Sequence, residues 1–300
     1  GGGGGGGVSP EQFRAMSVGS QTGGGFWVPD EVFQRIEKAM LWFGGMRTAA
    51  DVITTDSGAD LPWPVYNDTG NSGRRLAENT AATQTDLAVA LRVMKAFMYT
   101  SDEVLVSLQL MQDAPEIATG VMADALGERI GRIQNTEFTL YDAADGPSGL
   151  IPNSTLGVTA VATGVVTADE LRNLKYAVNR AYRDNGKFMM HDQTLRDIMG
   201  LKDGEGRYLF EQDPQSGVEP NLWGQAVVVN NDMATMATGV RAIEYGDFRH
   251  YKLRDVRGLT LLRLDERYAP NLQVSFLGFS RADGAYLNAG GNPIQHLIMA

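Results

Sequence analysis

Three histidines, His191, His250 and His296, are the side chains best suited to acid–base or metal chemistry, and each stands alone on or beside an apolar stretch. Paired metal ligands sit at i,i+2 on a strand or i,i+4 on a helix, and no two of these histidines are so spaced. An isolated histidine in such a setting reads as a hydrogen-bonded packing residue. The chain has no cysteine. That excludes a thiol nucleophile, a disulfide framework, a thiolate zinc site and a cysteine-ligated iron–sulfur cluster. The string from Gly200 to Gly206 carries Lys202 but lacks the Gly-Lys-Ser/Thr ending of a phosphate loop, and reads as a polar loop. Asp56-Ser57-Gly58-Ala59-Asp60 has the look of a calcium-loop fragment without the later bidentate glutamate, and reads as the approach to a hairpin. Arg74 and Arg75 lie close to Glu78. On a free surface they are a solvated charge cluster; against another chain they can grip carboxylates in bidentate fashion. No catalytic, cofactor or metal residue is assigned, so an enzyme is not expected.

Composition narrows the classes further. Of 300 residues, 43% are hydrophobic and 21% charged, enough to build cores and too apolar for wholesale disorder. No apolar run is long enough for a membrane span. The net charge of -10 argues against a dedicated nucleic-acid grip, which needs clustered Lys and Arg. Seven leading glycines bury nothing and are expected to be a flexible lead-in, set aside from fold reasoning.

The elements that position these residues can be read in order. Residues 8–50 read as an arm. After Gly23-Gly24-Gly25, Asp30 caps a short helix carrying Phe33 and expected to end at Gly44-Gly45. Its aromatics need a surface, on the chain's own body or on a neighbour. Residues 51–103 read as a long two-stranded excursion. Val52–Thr55 and Leu61–Tyr66 have strand content, and Pro62 and Pro64 confine the second segment to an edge or a free ribbon. Leu87, Val89, Leu91 and Val93 alternate with other residues along the return strand. Such a hairpin is marginal alone in water and needs a partner surface. The spacing predicts a helix over 113–141 with Met122, Leu126, Ile130 and Ile133 on one stripe. Glu128 and Arg132 pair at i,i+4, and Gly120, Gly127 and Gly131 mark close backbone approach. Thr167 and Glu170 form a capping box for a helix expected to stop at Asp184-Asn185-Gly186. Phe188–Met190, Ala226–Val229 and Ala242–Tyr245 read as buried strands, with a helix over Gln193–Met199. Leu259–Arg267 and Leu272–Phe279 read as long strands joined at Ala269-Pro270-Asn271, and Ile294–Met299 as a last strand. The class is α+β.

The ordered strings resemble tailed-bacteriophage major capsid proteins with the Hong Kong 97-type fold. They are Gly24-Gly25-Phe26-Trp27-Val28-Pro29, Leu61-Pro62-Trp63-Pro64-Val65 and Gly149-Leu150-Ile151-Pro152. Further on come Phe188-Met189-Met190-His191 with Leu201-Lys202-Asp203, the run Leu222–Val229, Tyr245-Gly246-Asp247-Phe248 and Ile294–Met299. The resemblance runs from about Val18 onward.

The resemblance implies an N-terminal arm (1–50), an extended β-hairpin loop (51–103) and a peripheral domain with a long spine helix (104–165). It further implies an axial domain (166–246), peripheral strands (247–285) and a C-terminal axial strand (286–300). The function implied is a head protein that self-assembles into hexamers and pentamers of an icosahedral shell around double-stranded DNA. Its partners would be copies of itself, with portal, scaffolding and decoration proteins possible. DNA would be touched weakly and without sequence preference, with no membrane and no cofactor. The implied place is the virion, with assembly in the host cytoplasm. Candidate contacts between subunits are Phe26, Trp27, Phe33, Trp63, Arg74, Arg75, Glu78, Leu87, Val89, Leu91 and Asn271. Some relatives weld their shells by a Lys–Asn isopeptide bond. Here no lysine lies between Gly58 and Met94, leaving Lys95 at the hairpin base, so a noncovalent shell is expected although Asn271 sits in the acceptor region. An N-terminal scaffolding segment is also missing, whether cut off, supplied separately or lying outside the sequence. Alternatives are an encapsulin-type nanocompartment and, from another class, a carboxylate-dependent hydrolase.

Overall fold

The computed structural model of the chain describes residues 40, 44–66, 75, 76, 78, 81, 89–113, 115–210 and 221–300. Helix α1 (Gly45–Ala49) leads into β1 (Asp51–Thr55), followed by β2 (Leu61–Tyr66), β3 (Val89–Met94) and β4 (Phe97–Ser107). A single helical turn precedes the long α2 (Pro115–Leu140), and β5 spans Thr155–Thr159. Then come α3 (Ala168–Ala177), β6 (Lys187–Met190), α4 (Asp192–Met199), β7 (Asn221–Leu222), β8 (Gln225–Val229) and β9 (Arg241–Gly246). Two long strands, β10 (Tyr251–Leu264) and β11 (Gln273–Tyr286), and a final β12 (Ile294–Ile298) complete the order.

The chain divides into two compact units. One takes Met98–Arg132 and Gly258–Ser280, together with Met40 from the N-terminal stretch. Its core joins Met122 and Leu126 of α2 to Leu261, Val274 and Phe276 of the long strands. Gly131 permits the close packing expected of it, since a Cβ there would lie 3.0 Å from the Met40 Cα.

The other unit takes Gly44–Phe97, Ile133–Arg257 and Arg281–Ala300. It holds a mixed six-stranded sheet in the order β5-β12-β9-β6-β8-β7. The sheet is nearly apolar on one face, where Leu171 and Leu174 of α3 pack with Phe188, Ile243, Tyr245 and Leu297. The capping box forms as the sequence predicts: the Thr167 hydroxyl accepts from the Glu170 N–H, and the Glu170 carboxylate accepts from the Thr167 N–H. β5 joins this sheet by pairing in parallel with β12.

The helix expected to end at Gly44-Gly45 lies outside the described residues except for Met40, which is helical. Gly44 then caps α1 and Gly45 opens it, where a Cβ would lie 2.7 Å from the Val229 carbonyl oxygen. Three expectations need correction. The segment Val52–Thr55 is not a leg of the hairpin, since β1 pairs in parallel with β10, from Asp51↔Lys252 to Thr55↔Val256. It forms one edge of a four-stranded sheet, β1-β10-β11-β4. Ile133 is exposed rather than on the buried stripe, which advances in steps of four through Met122, Leu126, Ile130, Gln134 and Phe138. Finally, the helix from Thr167 does not run to Asp184; α3 ends at Ala177, where Val178 turns extended.

Candidate assembly interface

β2 and β3 form a sheet of their own. Their antiparallel register sets Pro62 opposite Val93, Pro64 opposite Leu91 and Tyr66 opposite Val89. Leu61, Trp63 and Val65 take the alternate positions, opposite Met94, Arg92 and Ala90. Directly opposed residues share a face. The inner face is anchored where Leu61, Trp63 and Val65 pack against Met94, Ala285 and Leu287. The outer face is Pro62, Pro64, Tyr66, Val89, Leu91 and Val93, all exposed. Leu91 is 67% accessible, Tyr66 62%, Val89 57% and Val93 46%. An exposed apolar face of this kind is a candidate interaction surface. The prolines suit this place, as they lack the N–H that a longer sheet would require.

The candidate contacts fall as follows. Val89 and Leu91 are on the outer face, and Trp63 is half-buried on the inner face. Arg75 and Glu78 are exposed. Asn271 is exposed and closes the turn Ala269–Asn271 between β10 and β11, where Leu272 takes a left-handed φ of 53°. Phe26, Trp27, Phe33, Arg74 and Leu87 lie outside the described residues, as does most of the hairpin tip. Sequence reading passed over Pro62, Pro64 and Tyr66 as outer-face residues, although their alternation with Leu61, Trp63 and Val65 carried that signal. It also passed over Arg254 and Asp283, which hold the base of the ribbon and read in sequence as ordinary strand charges.

A cavity of about 470 Å³ opens beside β3, lined among others by Arg92, Lys95, Tyr141, Asp142 and Asp283. Burial pushes the Asp283 carboxyl up, against the N–H groups of Lys95 and Gly284 and the charges of Arg92 and Arg254 that favour its ionised form. The hydrolase reading would need convergent carboxylates in such a cavity. The carboxyl most strongly displaced, Glu244, is instead fully buried, and burial pushes it up to about 8. Ser154 Oγ lies 2.7 Å from Glu244 Oε1 and 2.9 Å from His296 Nδ1. Here the serine stands between acid and histidine, whereas a Ser-His-acid triad has the histidine in the middle. All three residues are buried. His191 Nδ1 accepts from the Gln193 N–H at the start of α4, and the His250 ring meets Tyr182 edge-on. Among the described residues no group of three or more His, Asp or Glu side chains can hold a metal ion.

The model of the phage capsid family matches residues 24–294. The chain belongs to the phage capsid family. Solved structures agree on the fold. The capsid of a native GTA particle is 24% identical with a TM-score of 0.72, covering 85% of this chain and 90% of that one. The capsid of an empty GTA particle is 22% identical with a TM-score of 0.71, covering 86% and 90%. A chain of Mycobacterium phage Adephagia is 13% identical with a TM-score of 0.65, again covering 86% and 90%. Among curated protein sequences, none matches the chain. As a major capsid protein of a tailed phage, this protein is structural. Its place is the virion capsid, and its partners are further capsid subunits. Among the described residues, this ribbon gathers four exposed large hydrophobic side chains, Tyr66, Val89, Leu91 and Val93, on two paired strands.

Proposed function

We propose that the protein builds a phage head as hexamers and pentamers around double-stranded DNA, each subunit laying the outer face of its ribbon on a neighbour. The carrying observation is that face itself: Pro62, Pro64, Tyr66, Val89, Leu91 and Val93 together, all exposed. A two-stranded ribbon with its apolar side in water is unstable on its own terms. In this reading residues 1–50 are the arm and 56–95 the extended loop, with β1 and β4 part of the four-stranded sheet. Residues 104–154 and 247–285 are peripheral, and 155–246 with 286–300, which share the six-stranded sheet, axial. Phe26, Trp27, Phe33 and Leu87 add apolar area between subunits, Trp63 stiffens the ribbon, and Arg74, Arg75 and Glu78 fix register at the tip. Cohesion is noncovalent, with Asn271 a surface contact. Assembly takes place in the host cytoplasm, with portal and scaffolding partners.

The test is a Val89→Asp, Leu91→Asp double variant expressed beside the wild type and separated by sedimentation. Folded subunits with particles lost is the expected result. Particles at wild-type yield overturn the reading.

A further inference from the structure

The ribbon forms its own two-stranded sheet, so it is held by the packing of its inner face on Ala285 and Leu287 and by its two feet, Asp56–Asp60 and Met94–Lys95. Arg254 on β10 is 2% exposed and lies beneath both. Its Nη2 donates to the carbonyl oxygens of Ser57 (2.8 Å) and Ala59 (2.7 Å) in the first foot. Its Nη1 donates to those of Met94 (2.9 Å) and Lys95 (3.1 Å) in the second. Nε donates to the Thr55 hydroxyl at 3.1 Å, so all three guanidinium nitrogens are engaged. On the adjacent strand β11, Asp283 is 4% exposed, and its Oδ2 accepts the Lys95 N–H at 2.5 Å. Arg257, with a left-handed φ of 56°, donates its Nε–H to the Asp56 carbonyl. A non-glycine residue holds that conformation only where its surroundings impose it.

Burying a guanidinium and a carboxylate is costly, and apolar residues of the same volume often stabilise a fold as well or better. What this pair adds is geometry. A guanidinium presents its donors in a rigid planar fork, and this fork spans both feet at once. The contacts on the ribbon are to main-chain atoms, so they fix where the ribbon points whatever side chains it carries. We propose that Arg254 and Asp283 are positioning residues that aim the ribbon for assembly by clamping the main chain of its two feet. This rests on the reading that the ribbon docks on a neighbouring subunit.

The experiment compares Arg254→Lys and Asp283→Asn with the Leu91→Asp variant, each in the full chain. Amide exchange is followed at residues 57–61 and 94–96 and across the six-stranded sheet, and particle yield by sedimentation. A lysine keeps the charge but cannot reach both feet. The expected result is exchange at the feet faster by about tenfold or more, the equivalent of about 1.4 kcal/mol. Exchange in the sheet stays unchanged, and particle yield falls at least as far. A purely structural role would speed exchange throughout or leave assembly intact. Unchanged exchange at the feet overturns the clamp, and so does wild-type particle yield with accelerated exchange. Should Arg254→Lys not fold, Asp283→Asn decides by the same two readouts. Leu91→Asp, which leaves the clamp untouched, separates the premises: if it assembles at wild-type yield, the docking reading fails whatever the clamp does.

Discussion

Burial pushes the Glu244 carboxyl up to about 8, against the Ser154 hydrogen bond and the Arg241 charge that favour its ionised form. Ser154 Oγ lies within hydrogen-bond reach of the Ile151 carbonyl (2.9 Å), Glu244 Oε1 and His296 Nδ1. Glu244 Oε2 is buried with no hydrogen-bond partner among the described residues, a poor place for a negative charge. Burial lowers His296 to about 4, with Arg241 adding to the effect. Raised in the native state, Glu244 contributes stability that declines as pH rises from its unfolded value to about 8. Lowered in the native state, His296 contributes stability that grows from about 4 to its unfolded value near 6.5. The two slopes oppose below about pH 6.5 and leave Glu244 alone above it. Stability is therefore expected to fall by up to about 2 kcal/mol between pH 6.5 and 8. Glu244→Gln should flatten that slope in urea melts; an unchanged slope contradicts the assignment. That no two histidines have the spacing of paired metal ligands was legible in the sequence. The burial of Glu244 was not, because its neighbours Ser154 and His296 meet it only in the folded structure.

At the scale of elements, local signals were read well and long-range ones poorly. Thr167 and Glu170 are three residues apart, and their cap follows from sequence. Pro62 and Pro64 announced a ribbon outside the main sheets. The parallel pairing of β1 with β10 joins Asp51 to Lys252, and no local pattern in Val52–Thr55 reports it. The miss at Ile133 has a specific origin: Gln134 and Asn135 are buried, and polar residues do not look like stripe positions. Gln134 Oε1 accepts from Arg47, which also pairs with Asp255 at 2.7 Å. Asn135 Oδ1 accepts the Met46 N–H, and its amide donates to Asn230. The apolar part of the stripe supplies the packing energy. Leu126 is fully buried against the long strands. Truncating it to alanine should cost about 3 kcal/mol in denaturant melts, while Ile133→Ala should stay within about 0.5 kcal/mol. Equal costs at the two positions would contradict the stripe.

For the whole molecule, acidity and the lack of phosphate-binding patterns argue against a dedicated nucleic-acid grip, and the shell function was implied by the family resemblance of the ordered strings. The family match over residues 24–294 makes the chain a capsid protein. The central claim is that one subunit's ribbon is completed by another subunit. Stable obligate interfaces bury more than about 2,000 Å², and the outer ribbon face is where much of that area should come from. Electron cryomicroscopy of particles formed by the wild-type chain tests this most directly. The account predicts closed shells of hexamers and pentamers in which Tyr66, Val89, Leu91 and Val93 of every subunit are covered by a neighbour, with no covalent density leaving Lys95. Shells in which those four side chains face solvent would contradict it.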